Sequence, residues 1–360
     1  MSDEPFDYWT FFHEEAKRIG SPLYARYADG VGAHEDMRAF AAQAKKGQPA
    51  ANMLFASVHY LLLRGADHPL KRFYPHLGGT ALAEKEDPVP DFIDFVRQHR
   101  DALAPLIATR VTNTNEVGRC AALHPAFRAV AAEAGEPLNL IEIGPSAGLN
   151  LNWDRYGVRY RRGRETFDLP VPGAGLVLNC ELYGPKLPPL TPNPEVASRV
   201  GLELNPVDLS NPDQRDWLRA LIWPGMEARV AQLEAALKIH EQSKPQIRVG
   251  DALALLPDAL RDIPEDQPVC IYHSFVVYQF SREMKDAFDA ILVLAGLRRP
   301  VWRVGIEGAA SGVNTVSLTR YQDGVREERV LAHCHPHGAW LEWRDEPPRA
   351  VGAQELHGIV

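Results

Sequence analysis

The sequence is poor in cysteine, has no excess of basic residues and contains no long apolar run. Four cysteines occur among the 360 residues, and none of them forms a C-x-x-C pair. This spacing excludes a disulfide framework or a zinc ribbon and favours free thiols in a reducing compartment. The formal charge of −8 argues against a general nucleic-acid binder, which presents a basic face.

The sequence also shows no sign of membrane insertion or secretion. No segment approaches the roughly 20 apolar residues that a membrane-spanning helix needs. Residues 1–5 carry acids where a secretory leader carries bases, and no apolar run follows them. The basic stretch 159–164 is best interpreted as a solvated hairpin. We therefore expect a cytoplasmic protein that acts on a small molecule and binds neither membranes nor nucleic acid.

Two regions differ in their apolar pattern. Residues 1–135 carry apolar side chains at helical spacing, as in the stretch with Phe11, Phe12 and Ile19. From residue 136 short apolar runs alternate with helical patterns, which predicts a mostly parallel sheet. Residues 158–197 are basic, aromatic and then proline-rich, and we predict that they form an insertion. The last strands are expected to be antiparallel, because Asp323-Gly324 marks a hairpin turn.

We therefore predict an α/β protein with two domains. Residues 1–135 would form an N-terminal helical cap domain. Residues 136–360 would form a Rossmann-like domain with the insertion at about 158–197.

The most informative stretch is the apolar run 138–143 with the small residues that follow it. Gly144, Ser146 and Gly148 alternate with other residues after the run, which predicts a strand that turns sharply into a helix. Small residues allow a ligand to approach the backbone, and a helix start offers unpaired N–H groups. Ligands of α/β proteins bind outside the carboxyl ends of the strands.

Two chemistries fit this turn, besides a glycine-rich turn that binds no ligand. Glu142-x-Gly144-x-x-x-Gly148 resembles the first motif of class I S-adenosylmethionine-dependent methyltransferases. The resemblance implies that the glycines make room for the methionine part of the cofactor and that the acid faces its ammonium group. Asn150 would belong to the same site. Alternatively, Gly144-x-Ser146-x-Gly148 matches the nucleophile elbow of serine α/β-hydrolases.

Acids and a histidine follow the later predicted strands. In a methyltransferase, Glu203 or Glu181 would bind the ribose and Asp251 the adenine amino group. His273 would lie beside the methyl acceptor, where an imidazole with a pKa near neutrality can take a proton. A histidine that simply bonds the neighbouring backbone is the alternative. Tyr278 is a weaker catalytic candidate.

A hydrolase would need an acid and then a histidine after Ser146. Asp251 or Glu307 would supply the acid, and His335 or His337 the imidazole. Pro145, the lack of a preceding His-Gly-Gly segment and the helical region upstream all argue against this alternative.

A metal site is the third idea. On a strand, His333, His335 and His337 would point to one face. Pro336 and Gly338 predict a turn that would separate the imidazoles, so we expect no bound metal and interpret His337 as a substrate contact.

A polar strip at 113–119 is the other candidate for substrate binding. Asn115, Glu116 and Arg119 would face the ligand together with Glu307, although a helix-capping loop explains the strip equally well.

These motifs together resemble an uncharacterised bacterial family, domain of unknown function 2332. The resemblance rests on Thr114-Asn115-Glu116, Glu142 to Gly148, Gly201 to Pro206, Trp217-Leu218, Trp223-Pro224, Gly250-Asp251, His273-Ser274 and His337-Gly338. The family usually shows Asp where this chain has Glu203. Membership implies a methyltransferase-like sheet domain and little about the reaction.

The sequence therefore predicts transfer of a methyl group from S-adenosylmethionine to a small molecule enclosed by the helical cap. A non-catalytic protein that binds S-adenosylmethionine or a nucleoside, and a serine hydrolase that uses Ser146, are the alternatives.

Overall fold

The chain forms two compact units in a computed structural model, which describes residues 7–83, 85–308 and 313–351. The helical unit comprises the residues up to Thr114 together with Val207–Leu233. The sheet unit comprises Asn115–Pro206 and the residues from Glu234 onward. The helix at 120–134, which lies before the boundary expected at 135, therefore packs within the sheet unit.

Eleven α-helices occur in the described residues. They are α1 (Tyr8–Ile19), α2 (Pro22–Ala33), α3 (Glu35–Ala41), α4 (Ala50–Leu63), α5 (Val89–Gln98), α6 (Arg100–Thr109), α7 (Cys120–Ala134), α8 (Pro212–Ala220), α9 (Glu227–Ser243), α10 (Ala252–Arg261) and α11 (Arg282–Gly296). Short 3-10 helices lie at Pro69–Phe73, Pro75–Leu77, Val117–Arg119, Asn150–Arg155 and Val277–Gln279. In the described part of the chain, no helix is long and apolar enough to cross a membrane.

The helical unit has an aromatic core centred on Phe55 of α4. This ring contacts the rings of Trp9, Phe12, Tyr24, Tyr27 and Phe92. In α1, Phe12 is buried with Ala16 one turn later, whereas Phe11 is 54% exposed. Neighbouring residues lie about 100° apart on a helix, so Phe11 points away from the face that buries Phe12. The buried face of α1 therefore includes fewer of the apolar residues than the sequence predicts.

Twelve strands of the described residues form one sheet in the sheet unit. They are β1 (Leu138–Ile143), β2 (Gly157–Arg162), β3 (Glu165–Leu169), β4 (Val177–Tyr183), β5 (Val196–Glu203), β6 (Gln246–Val249), β7 (Val269–Ser274), β8 (Val301–Gly308), β9 (Asn314–Gln322), β10 (Val325–Cys334), β11 (Trp340–Trp343) and β12 (Arg349–Val351). The order is β3-β2-β4-β11-β10-β9-β8-β7-β1-β5-β6, and β12 pairs with β10.

The middle of this sheet is parallel and its later strands are antiparallel. Strands β6, β5, β1, β7 and β8 are neighbours in that order and all run parallel. Strand β9 then pairs antiparallel with β8, and β10 with β9. The predicted α/β class, with a mostly parallel sheet and helices at the N-terminal side, is confirmed.

The segment predicted as an insertion extends the same sheet. It contributes β2, β3 and β4, and β4 joins the rest of the sheet by parallel pairing with β11. Leu178, Cys180 and Leu182 alternate with exposed residues along β4, as a strand with one buried face requires.

Strand β1 is buried along its whole length, with different chemistry on its two faces. Ile141 and Ile143 pack in an apolar cluster with residues of α10 and α11 such as Leu256 and Phe288. Glu142 points to the other face, since side chains alternate along a strand. An acid thus lies inside the protein beside the carboxyl end of the central strand.

Candidate functional site

The strand order reverses between β1 and β7. The chain continues from β1 to β5 on one side and from β7 to β8 on the other. Ligands of open α/β sheets bind in the crevice at such a switch point, outside the carboxyl ends of the strands. Ser146 and Phe275, which follow these two strands, both have a left-handed backbone with φ of 56°. Such strain in residues other than glycine is concentrated at functional sites, so we take this crevice as the candidate site.

The glycines of the loop after β1 make room for protein side chains. A Cβ atom on Gly144 would lie 2.7 Å from Cγ2 of Val276, and one on Gly148 would lie 3.0 Å from Cδ1 of Ile247. Both glycines also have a positive φ, of 66° and 75°. The loop leads into the 3-10 helix Asn150–Arg155 in place of the longer helix that the pattern predicts.

Glu203 fixes this loop from the end of β5. Its Oε2 accepts a hydrogen bond of 2.7 Å from the N–H of Ser146, and its Oε1 accepts one of 2.9 Å from Asn205. The alternative ribose ligand, Glu181, lies in β4, which is separated from β1 by several strands. Of the two acids, Glu203 is therefore the one beside the glycine loop.

Residues 115–119 of the polar strip predicted at 113–119 lie beside the strand ends. Oδ1 of Asn115 accepts a hydrogen bond of 2.8 Å from the N–H of Leu149 in the glycine loop. Glu116 is buried and caps the 3-10 helix that follows it, because its Oε1 accepts from the N–H of Gly118 at 3.2 Å. Asn115 thus supports the loop, and Glu116 supports the strip itself.

Arg119 joins three segments of the site. Its Nη1 lies 3.3 Å from Oγ of Ser274 at the end of β7, and its Nε donates to the carbonyl of Pro336 at 2.9 Å. The guanidinium carbon lies 4.4 Å from the centre of the Phe275 ring, within the range of a cation–π interaction. This geometry holds Phe275 and the turn after β10 together.

His337 lies against the 3-10 helix 117–119. There is no space for a side chain on Gly118, whose Cβ position is blocked by the carbonyl of His337. The rings of His335 and His337 are 5.4 Å apart. Nδ1 of His333 instead lies 3.6 Å from Oε2 of Glu342 in β11. Within residues 7–83, 85–308 and 313–351, no group of three His, Cys, Asp or Glu side chains could hold a metal ion.

His273 and Glu307 are brought together from adjacent strands. Nδ1 of His273 lies 2.7 Å from Oε1 of Glu307, and the His273 side chain is 4% exposed. Its Nε2 has no hydrogen-bond partner among the described residues. Burial lowers the pKa of His273, and the hydrogen bond and charge of Glu307 oppose this only in part.

The contacts of Glu307 keep its pKa low. Burial raises the pKa of Glu307, but the hydrogen bond and the charge of His273 and the hydrogen bonds from the backbone N–H groups of Val276 and Val277 outweigh it and lower the pKa overall. The carboxylate therefore orients the ring through Nδ1–H and leaves Nε2 as an acceptor, which is the form that a general base requires.

Glu142 lies beneath the loop and not at its surface. It is 2% exposed, and the hydroxyl of Tyr272 donates to its Oε2 at 3.0 Å. Burial is the main cause that raises the pKa of Glu142 to about 8, and the negative charge of Glu203 adds to it. Asn150 is also buried, and its Oδ1 lies 3.4 Å from Sγ of Cys120. This face of β1 thus carries a cluster of buried polar groups.

Asp251 and Tyr278 are the exposed members of the predicted set. Asp251 follows β6 and caps α10, since its Oδ1 accepts hydrogen bonds from Leu253 and Ala254. Tyr278 is 59% exposed, and its ring centre lies 6.5 Å from that of Phe275. Asp251 thus lies at the end of β6 and Tyr278 beyond the end of β7, both open to solvent.

A family model described as "Uncharacterized protein conserved in bacteria (DUF2332)" matches residues 9–343. The chain belongs to this family. The membership predicted from the motifs is thereby confirmed. No curated protein and no solved structure matches the chain.

Sequence reasoning missed three members of the site. Tyr272, Phe275 and Val276 contact Glu142, Arg119 and Gly144 respectively. The pairing of Tyr272 with Glu142 depends on the register of β7 against β1, which no pattern within either strand reveals. Val276 has no polar group to attract notice, and its role depends on the missing side chain of Gly144.

The helical unit contains a small cavity of its own, with a volume of about 50 Å³. The cavity is lined by Tyr24, Asn52, Ala56, Thr112, Thr114, Ala220, Leu221 and Trp223. The hydroxyl of Tyr24 and Oδ1 of Asn52 are buried without a hydrogen-bond partner in the described part of the chain. None of the predicted site residues lines this cavity.

Proposed function

We propose that the protein binds S-adenosylmethionine across the carboxyl ends of β1, β5 and β6 and transfers its methyl group to a small molecule. The observation that carries the proposal is the order of the five parallel strands. Numbered along the chain from β1, these strands run 3-2-1-4-5, the order that nucleotide-binding α/β sheets share up to their fifth strand. The small-residue loop follows β1, the first of these strands. Glu203 ends β5, the second, and Asp251 comes shortly after β6, the third.

The residues at the strand ends suit a nucleoside in part. Glu203 uses one lone pair of each carboxylate oxygen on the backbone, so each oxygen retains a second lone pair for a ribose hydroxyl. Asp251 is exposed beside the end of β6, where its carboxylate would accept from an adenine amino group. Gly144 is the exception, because Val276 already fills the space that its missing side chain leaves.

Bound S-adenosylmethionine would supply a methyl group on a positively charged sulfur. His273 is our candidate for removing the acceptor's proton, since Glu307 orients Nδ1 and Nε2 has no partner among the described residues. The ring is almost fully buried, so only a small acceptor that penetrates between the strand ends would reach Nε2. Positioning of the two reactants would supply the rest of the rate enhancement.

Calorimetric titration with S-adenosylmethionine and S-adenosylhomocysteine tests the proposal. We expect micromolar binding of both compounds, weakened at least about tenfold in Asp251→Ser, a loss of about 1.4 kcal/mol. Serine caps a helix as well as aspartate does, so this variant should keep α10 intact. Asp258→Ser on the same helix is the matched control and should bind normally. A folded protein that binds neither compound would contradict the proposal.

Transfer of a labelled methyl group to bacterial metabolites separates an enzyme from a binding protein. Label transfer that is lost in His273→Ala would support catalysis. Binding without any label transfer would favour the non-catalytic alternative.

A second candidate function is supported by the backbone of Ser146. The nucleophile of a G-x-S-x-G elbow lies on a strained turn between a strand and a helix, and Ser146 has a left-handed φ of 56° in such a turn. One feature weighs against a hydrolase. β1 is the first strand of the described residues, whereas such hydrolases place several strands before the strand that leads to the nucleophile. Covalent labelling by a fluorophosphonate, abolished in Ser146→Ala, would favour the hydrolase over the methyltransferase.

A further inference from the structure

The segment after β7 leaves the sheet through a strained residue. Phe275 has a φ of 56°, which is an outlier for a bulky side chain, and its N–H donates to the carbonyl of Ile306 at 2.8 Å. The next residues form the 3-10 helix Val277–Gln279. A strained backbone persists only when the surrounding contacts hold it in place.

One carboxylate binds the residues that follow Phe275. Oε1 of Glu307 accepts hydrogen bonds from Val276 at 3.1 Å and Val277 at 3.0 Å, and Oε2 lies 3.4 Å from the N–H of Tyr278. His273 approaches the same Oε1 from β7 at 2.7 Å. Glu307 thus binds three successive backbone N–H groups and one imidazole.

This arrangement sets the position of the Val276 side chain. The three atoms nearest to the position that a Cβ on Gly144 would take all belong to Val276, and the closest lies at 2.7 Å. The Val276 side chain therefore occupies the space that the missing side chain of Gly144 leaves, between the carboxyl ends of β1 and β7. This is the crevice in which a ligand of such a sheet binds.

We propose that Glu307 is a positioning residue that holds Val276 against Gly144 and so narrows the crevice between β1 and β7. Glu307 then acts on the turn and not on the substrate, in contrast to the substrate contact expected from the sequence. The consequence for a ligand rests on the proposed function: S-adenosylmethionine would have to displace Val276 to lie against the loop.

Hydrogen exchange tests the positioning without any ligand. Glu307→Gln keeps one carbonyl oxygen but loses the charge and one acceptor, so the amides of residues 276–278 should exchange at least about tenfold faster than in the parent protein. Glu307→Asp, which keeps the charge on a shorter side chain, should give a smaller acceleration. It replaces Glu307→Gln if that variant does not fold. Unchanged exchange at 276–278 in a folded variant would overturn the proposal.

The rate of ligand association tests the effect on the crevice. Val276→Ala should increase the association rate constant for S-adenosylmethionine several-fold, whereas Val277→Ala, which removes the same atoms one residue later, should not. Equal association rate constants in the two variants would overturn the proposal that Val276 narrows the crevice. If no variant binds S-adenosylmethionine, the proposed function fails, while the exchange experiment still decides whether Glu307 holds the turn.

Discussion

The backbone N–H of Ser146 donates a hydrogen bond of 2.7 Å to Oε2 of Glu203, which ties the loop after β1 to the end of β5. The other oxygen of the same carboxylate binds the N–H of Asn205. Glu203 therefore holds both its own turn and the glycine loop, whatever ligand the site takes.

Replacement of Glu203 by Gln should lower the free energy of unfolding by about 1–3 kcal/mol, because hydrogen bonds to a charged acceptor are stronger than neutral ones. The amide group would also present a donor to one of the two N–H groups that the carboxylate now binds. Urea denaturation measures the change. Glu203→Asp keeps the charge and should cost less. Equal stability of Glu203→Gln and the parent protein would contradict this role.

Gly144→Ala should destabilise the protein by about 2–4 kcal/mol, through the left-handed φ and through overlap of the new Cβ with Val276. Val276→Ala alone should cost about 1 kcal/mol, as removal of partly buried methyl groups does. In the double variant the overlap is relieved, so the two costs should not add.

A double-mutant cycle by urea denaturation measures this coupling, which we expect to be at least about 1 kcal/mol in favour of the double variant. Additive costs would mean that Val276 does not limit the space at Gly144.

The sequence predicts the architecture better than the contacts within the site. The apolar run 138–143 and the alternation that follows indicate a parallel sheet, and the hairpin signal Asp323-Gly324 correctly indicates antiparallel strands near the end of the chain. These features depend on local periodicity and on turn chemistry, which can be read within one segment. The placement of β2, β3 and β4 in the same sheet depends on pairing between distant segments, so it could not be predicted.

In the candidate site too, the sequence predicts the positions of residues along the strands but not the contacts between strands. His273 lies near the end of one predicted strand and Glu307 ends the next, and parallel neighbours bring such residues together. The sequence does not reveal that they contact each other, since this contact depends on Gly305 opposite His273. A Cβ on Gly305 would lie 2.7 Å from Cε1 of the imidazole. The predictions for the cofactor-binding residues stay predictions.

Glu142 should make stability depend on pH. Its pKa is raised from 4.5 to about 8 in the folded protein, first by burial and then by the charge of Glu203, while Tyr272 and Arg119 oppose the shift. Between about pH 5 and 8 the folded state therefore holds a proton that the unfolded state has released. The free energy of unfolding contributed by this group falls as the pH rises through that window.

Glu142→Gln removes this titration without changing the size of the side chain. We expect its stability relative to the parent protein to increase from pH 5 to pH 8, by at most about 1.4 kcal/mol per pH unit. Parallel stability curves in urea denaturation would show that Glu142 is ionised in the folded protein. Tyr272→Phe should raise the pKa of Glu142 further, because the hydrogen bond from Tyr272 stabilises the ionised carboxylate. The loss of stability should then extend to a higher pH than in the parent protein.

The cavity of the helical unit should hold ordered water between the hydroxyl of Tyr24 and Oδ1 of Asn52. Its volume of about 50 Å³ exceeds the roughly 10–15 Å³ that one water requires, and its lining residues include Tyr24 and Asn52, each with a buried polar atom that has no partner among the described residues. Tyr24→Phe should therefore lower the free energy of unfolding by about 1 kcal/mol, because the bridging water loses a partner. Tyr160→Phe is the matched control, since that buried hydroxyl donates to Ala121 at 2.6 Å and should show a similar loss. If the cavity is dry, Tyr24→Phe should leave stability unchanged or raise it, because it then removes a hydroxyl that has no partner.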